Sequence, residues 1–319
     1  MEAVIEHLLQ SEEPSVRYNV LVRVLSREPD SESILQLQEE IRQSPQVKAM
    51  LSEQRSDGTL PFGPYTKWIG AHWVLARLAD IGYPPGDKDL IPLREQVLTW
   101  LFSDKHTNTI KIINGRTRRC ASQEGNAVYA LLTLGLADER VDELVNRLIQ
   151  WQWPDGGWNC DTNPEAINSS FHESLIPMRA LALHANLIGN ENSRRAAERA
   201  AEIFLKRRLF RREKGGQIIH PEFTKLHYPP YWHYDILFGL KVVAEAGLID
   251  DSRCVDALDL LESKRLPDGG WPAEKKYYRV TERKGSGRTI INWGGTSKLR
   301  MNEWVTADVL YVLRTANRL

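Results

Sequence analysis

Two kinds of helical pattern alternate along the chain. In residues 90–102, 139–150, 193–210 and 251–266, apolar side chains recur at three- and four-residue spacing with charge between them, the pattern of a helix that buries one face. Each is followed by a Gly-centred turn or a degenerate form of one: Ser103-Asp104-Lys105, Asp155-Gly156-Gly157-Trp158, Lys214-Gly215-Gly216 and Asp268-Gly269-Gly270-Trp271, with Asp57-Gly58 earlier in the chain. After the turns come segments that are apolar around most of their circumference and richer in Ala and Gly: 66–82, 122–136, 169–189, 231–248 and 302–319, with 15–27 as a sixth near the start. Helices apolar on most sides are buried on most sides, so these are expected to be inner helices and the amphipathic set outer ones. The turns recur at about 50 to 60 residues or twice that, the scale of stacked supersecondary units.

Stacked helix pairs build either an open solenoid or a closed ring, and periodicity does not choose between them. The turn at Gln152-Trp153-Pro154-Asp155-Gly156-Gly157-Trp158 fits QxxxGxW. Gln54-Arg55-Ser56-Asp57-Gly58-Thr59-Leu60 keeps the Gln and Gly, and Arg265-Leu266-Pro267-Asp268-Gly269-Gly270-Trp271 keeps the Gly and Trp. In this the chain resembles squalene-hopene cyclases, oxidosqualene cyclases and the β subunits of protein prenyltransferases. The resemblance implies one all-α domain over residues 1–319, an (α/α)6 toroid of six inner and about six outer helices. Two long connections, 211–230 and 272–301, interrupt the pattern, and alternation around Gly285-Ser286-Gly287 predicts a β-hairpin near 276–293.

The 42 basic residues match the 42 acidic ones, so no global field draws in nucleic acid. Hydrophobic residues make up 42% of the chain, enough for a core, and no long apolar run predicts a membrane-spanning segment. Three widely spaced cysteines, Cys120, Cys160 and Cys254, argue against a disulfide framework. The acidic start of the chain carries no leader signal, so a cytoplasmic location is expected. Oligomeric state cannot be read from the sequence.

All inner helices follow the same kind of turn, so their first turns should gather at one mouth of a ring. Those turns hold aromatic and ionisable groups, which at buried positions must be paired or functional. Acid or cation chemistry on an isoprenoid-like apolar substrate would take its acid from Asp235, Glu173, Glu303 or Asp308, with His172 or His233 as partners. The substrate would lie against Trp68, His72, Trp73, Phe171, Tyr231, Trp232, Tyr234 and Trp304. The DxDD run of the resembling cyclases is missing, as is DDxxD; Asp250-Asp251 lies in the turn before an outer helix. A non-catalytic ligand-binding or interaction toroid is therefore the alternative. No cofactor or metal is the default expectation. The prenyltransferase resemblance implies the rival, a zinc ion near Cys160, Asp161, His172 and His233. Basic residues in 272–301 suggest a lid suited to an apolar small molecule with an anionic head group.

Overall fold

A computed structural model describes residues 1–283, 285 and 287–319 of the chain; Lys284 and Ser286, at the tip of the expected hairpin, lie outside the described residues. Helix pairs follow one another in order. The first is α1 (Glu2–Leu9) with α2 (Pro14–Asn19), which runs on through a π turn at Val20–Val24. The second has α3 (Glu32–Gln43) and α4 (Pro45–Leu51) outside α5 (Ala71–Asp80). The third has α6 (Ile91–Leu101) and the single turn α7 (Asp104–Thr107) outside α8 (Ser122–Thr133). Then come α9 (Glu139–Trp151) with α10 (Phe171–Ile188), α11 (Glu191–Leu205) with α12 (Ile236–Glu245), and α13 (Val255–Glu262) with α14 (Glu303–Thr315).

The inner helices pack in sequence, α5 on α8, α8 on α10, α10 on α12 and α12 on α14. Helix α14 then packs on α2, and the Tyr18 ring of α2 lies against Gly82 at the end of α5. The circle is closed, so the chain is an all-α, six-paired toroid. The division of labour follows the sequence pattern. Outer α9 buries only Val141, Leu144, Val145 and Leu148, whereas all ten residues of inner α5 are buried. Side-chain oxygens cap several helix starts: Asp138 for α9, Asn190 for α11, Asp235 for α12 and Asn302 for α14, satisfying amides that have no partner within the helix.

The Gly turns are structural joints. Gln152 donates from Nε2 to the carbonyls of Gly156 and Ala196, both at 2.7 Å, tying the turn to outer helix α11. The Trp158 indole donates to Leu148 O at 2.9 Å, and its backbone N–H donates to Ser174 Oγ of α10. The turn at 265–271 repeats this with a substitution: Arg265 Nε takes over the Gln role by donating to Gly269 O at 2.9 Å. Trp271 donates to Leu261 O and to Thr306 Oγ1. At 54–60, Gln54 donates to Gly58 O and Leu60 is buried in place of the Trp.

Two small strand pairs decorate the ring. The 272–301 connection carries β3 (Arg279–Val280) and β4 (Arg288–Thr289), paired in parallel register within the region where strands are expected. A tight antiparallel hairpin, β1 (Lys111–Ile113) with β2 (Arg116–Arg118), turns at Asn114-Gly115, where both residues have positive φ, as this turn type requires.

The hollow of the ring is filled by charge. Buried Arg179 of α10 donates to Asp80 of α5 at 2.8 Å and, through Nε and Nη2, to Glu245 of α12 at 2.6 and 2.8 Å. Arg77 pairs with Asp80 at 2.5 Å, Arg23 with Glu245 at 3.2 Å, and Lys241 with Asp308 at 2.6 Å. The Arg179 guanidinium lies 3.7 Å from the centre of the Tyr129 ring. Burial alone would raise the Asp80 carboxyl, but Arg179, Arg77 and Lys241 outweigh it and hold the group far below the ordinary range. Beside this network, at the last turns of the inner helices, a cavity of about 300 Å³ is lined by Arg23, Tyr129, Thr133, Arg179, Leu183, Asn186, Glu245 and Tyr311.

Candidate functional site

The opposite mouth, where the inner helices begin, holds the aromatic first turns. Trp68 stacks on Tyr231 with ring centres 3.8 Å apart and meets Trp73 edge-on. Trp232 stacks on His233, which stacks on Tyr277 of the 272–301 connection. That connection covers this part of the mouth. Trp68 Nε1 donates to Tyr277 O, Gly287 N–H donates to Lys67 O, and the buried Arg288 pairs with Glu53. Phe171 and Tyr234 pack with Phe204 and Phe223, while Trp304 packs with Tyr228 and Trp293. His172 touches Phe223 and Trp232.

The four candidate acids are dispersed. Asp235 is nearly fully buried, accepting the Phe238 and His227 amides while His227 Nδ1 sits 2.6 Å from it. Asp308 belongs to the ion pair with Lys241 in the hollow. Glu303 accepts from Ser11 Oγ at 2.6 Å and faces His7. Glu173 accepts the Ser122 amide at 3.1 Å and the Cys160 thiol at 3.8 Å; burial, with Glu124 adding to it, raises its pKa. Beside Glu303 stands an acid the sequence pattern did not single out: burial, then the Glu303 and Glu12 carboxylates, push Glu13 up to about 7.

Of the histidines, burial lowers His172 to about 4 and His233 to about 2, with His227 the next cause for each. His72 is 2% exposed. Neither of its ring nitrogens has a hydrogen-bond partner among the described residues. Burial, with His106 nearby, pushes it down to about 3. The folded state therefore keeps His72 neutral while the unfolded chain protonates it below about 6.5, so its contribution to stability declines as pH falls through that value. Replacing His72 with Phe, which suits its contacts with Tyr65, Trp73 and Trp100, should leave wild type and variant diverging as pH falls from 7 to 5. The variant is expected to gain about 2 kcal/mol relative to wild type over that interval. Urea titrations at the two pH values measure this, and parallel behaviour of the two proteins would refute it.

Tyr65 and Trp100, which flank His72, stack at 5.4 Å and wall an open cavity of about 600 Å³. Its other walls are Gly63, Pro64, Thr66, Lys105, His106, Thr109, Arg119 and Gln123. Arg119 is fixed there, donating to Gln123, Thr109 and the fully buried Glu124, which also meets His106. Lys105 is exposed at the rim. This cavity lies beside the interlocked aromatic cluster; of the sequence-derived substrate residues, His72 backs it directly. Tyr65, Trp100, Lys105 and Arg119 escape sequence reasoning because they sit on the outer helix α6, on α7 and on the loops leading into α5 and α8, not in the inner-helix first turns.

Near Tyr65, two loops and the first turn of α10 also bring together Cys120, Cys160 and Glu173, whose Sγ and carboxylate oxygen atoms lie within 4.8 Å of one another. The two thiol sulfurs face each other within that distance. Asp161 turns outward, accepting the Asn163 amide, and His172 and His233 are engaged in the aromatic stacks, so among the four residues of the zinc expectation only Cys160 belongs to this group.

No family model matches the chain, and no curated protein does either. Solved structures resemble it in fold. A glycosyl hydrolase of family 88 from Bacteroides vulgatus aligns over 100% of this chain and 98% of its own at 14% identity, with a TM-score of 0.51. Two variants of the type II terpene cyclase MstE from Scytonema, each in complex with geranylgeranyl dihydroxybenzoate, align over 100% of this chain and 97% or 96% of theirs. Both are 14% identical, with TM-scores of 0.46 and 0.47. At these identities the likeness is one of architecture. No helix among the described residues is long and apolar enough to cross a membrane.

Proposed function

We propose that the chain binds a small amphiphile, an isoprenoid-like or aromatic apolar body with an anionic head group, in the cavity between Tyr65, Trp100 and Arg119. The carrying observation is the wall itself: two stacked aromatic rings, Pro64, Arg119 and Lys105 together line about 600 Å³. That volume is in the range of small-molecule sites, and a guanidinium already fixed by hydrogen bonds loses little freedom on meeting an anion. The ring nitrogens of His72, behind Tyr65, add a polar group that has no hydrogen-bond partner among the described residues. The hollow does not suit a long apolar chain, because Asp80, Arg179 and Glu245 occupy it.

Calorimetric titration with farnesyl diphosphate, farnesol and inorganic diphosphate tests the proposal. Farnesyl diphosphate should bind more tightly than either fragment. Trp100→Ala and Lys105→Glu should each weaken it tenfold or more, about 1.4 kcal/mol, while Leu299→Ser at an exposed position should leave it unchanged. Equal affinity in all four proteins would reject the site.

A second reading, acid chemistry of the cyclase type, draws on one specific observation. Glu13 is a carboxyl held near neutrality beside Glu303, the environment in which one acid of a pair keeps its proton. Its supporting result would be a proton-transfer activity lost in Glu13→Gln.

A further inference from the structure

We propose that Cys120, Cys160 and Glu173 form a binding site for a divalent metal ion of the zinc class at the mouth of the ring.

Three separate pieces of chain deliver the donors. Arg118 and Asn159 form a parallel bridge, and Arg119 N–H donates to Asn159 O at 3.2 Å, so the chain before α8 and the chain after the Gln152–Trp158 turn run side by side. Cys120 and Cys160 are the next residues on the two runs, and their Sγ atoms lie within 4.8 Å of each other. The same turn is anchored by the Trp153 indole, which donates to Thr117 O at 2.8 Å, with the Arg118 guanidinium 4.4 Å from the Trp153 ring centre. Position 160 thus follows a turn tied to α9, α10, α11 and the chain before α8. Glu173 comes from the first turn of α10.

The geometry suits a tetrahedral ion. With zinc at about 2.3 Å from sulfur and about 2.1 Å from oxygen, a tetrahedron places its sulfur and oxygen donors about 3.6 Å apart. Cys160 Sγ and Glu173 Oε1 are 3.8 Å apart, and all three donor atoms lie within 4.8 Å. The carboxylate is oriented from behind: one oxygen accepts the Ser122 amide while the other faces the Cys160 thiol. Such outer hydrogen bonds fix a ligand's direction before the ion arrives. All three residues are partly exposed at the mouth, so an ion has a path in. Two soft sulfur donors favour zinc over magnesium or calcium, and three protein donors leave a fourth tetrahedral position, the pattern of sites that accept water or substrate.

The site is independent of the ligand reading above, because it is tested by metal content and not by ligand affinity. Untagged protein, purified without chelator and under reducing conditions, should carry equimolar zinc by mass spectrometry of the elements. After exchange with cobalt it should show a thiolate-to-cobalt charge-transfer band in the near ultraviolet. Cys120→Ser and Cys160→Ser should each lose both signals, and Glu173→Gln should release zinc faster to a competing chelator. Cys254→Ala, at a buried cysteine outside the group, should keep both, and circular dichroism of each variant separates metal loss from unfolding. Wild-type protein that takes up no zinc or cobalt overturns the proposal. So does zinc retained in folded Cys120→Ser, or a Cys120–Cys160 disulfide that persists under reduction.

Discussion

Replacing Arg179 with Met is expected to destabilise the fold by about 3 to 5 kcal/mol, read as a lower urea midpoint with an unchanged slope. Arg179 is 4% exposed and holds three hydrogen bonds to two carboxylates from two other inner helices, α5 and α12. Methionine fills similar space but leaves Glu245 paired with Arg23, and Asp80 paired with Arg77 and the Tyr129 hydroxyl. The cost arises because charges already removed from water lose a compensating partner, which is larger than the net worth of the intact pairs. The double variant Arg179→Met with Glu245→Gln should accordingly be less destabilised than the sum of its parts. A midpoint shift equivalent to less than about 1 kcal/mol would mean that Arg77 and Arg23 carry the network without Arg179.

Gly156→Ala is expected to cost about 3 kcal/mol or more, from a backbone conformation that disfavours side chains and from direct overlap. Gly156 has a φ of 105°, and a Cβ there would lie 2.2 Å from the carbonyl oxygen of Arg199. That oxygen belongs to the backbone of α11, so no rotamer change relieves the contact; helix α11 would have to retreat from the turn. The same movement would stretch the bond from Gln152 to Ala196 O. Gly86→Ala is the comparison. It also has positive φ but nothing within 4 Å of the added carbon, so it should show only the conformational part, about 1 kcal/mol. Thermal or urea unfolding of the two variants measures the difference, and equal losses would show that close packing at the joint adds nothing.

Much of the architecture can be read from spacing alone, since an outer helix such as α9 needs one apolar stripe and an inner helix such as α5 needs burial all round. The Gln, Gly and Trp positions of the turn announce a joint because each bonds to a neighbour set by local geometry. The charged filling of the hollow is less legible. Arg77, Asp80, Arg179 and Lys241 are single polar residues within apolar helices, and only closure of the circle aims them at one another. Cys120 and Cys160 stand far apart in sequence and meet through a bridge between irregular segments, which no period encodes. The hairpin at Asn114-Gly115 had a readable turn signal, but it sits in the connection between α7 and α8, where the repeat offers no expectation of strands. The aromatic first turns do converge at one mouth, yet most of them bury one another; the open cavity draws its walls from the outer helix α6, from α7 and from nearby loops.

The join between α14 and α2 is the last link of the circle, and it is fastened by groups as remote along the chain as Ser11 and Glu303, 292 positions apart. Arg23 likewise reaches Glu245 across 222 positions. During synthesis, five inner helices can stack locally as they emerge, but Asp80, Arg179 and Glu245 are left in a half-open trough until the final helix arrives. Closing the circle therefore carries the largest loop-closure cost of any contact in the ring described above. Parting α14 from α2 would expose that charged inner wall to water without unstacking the other inner helices.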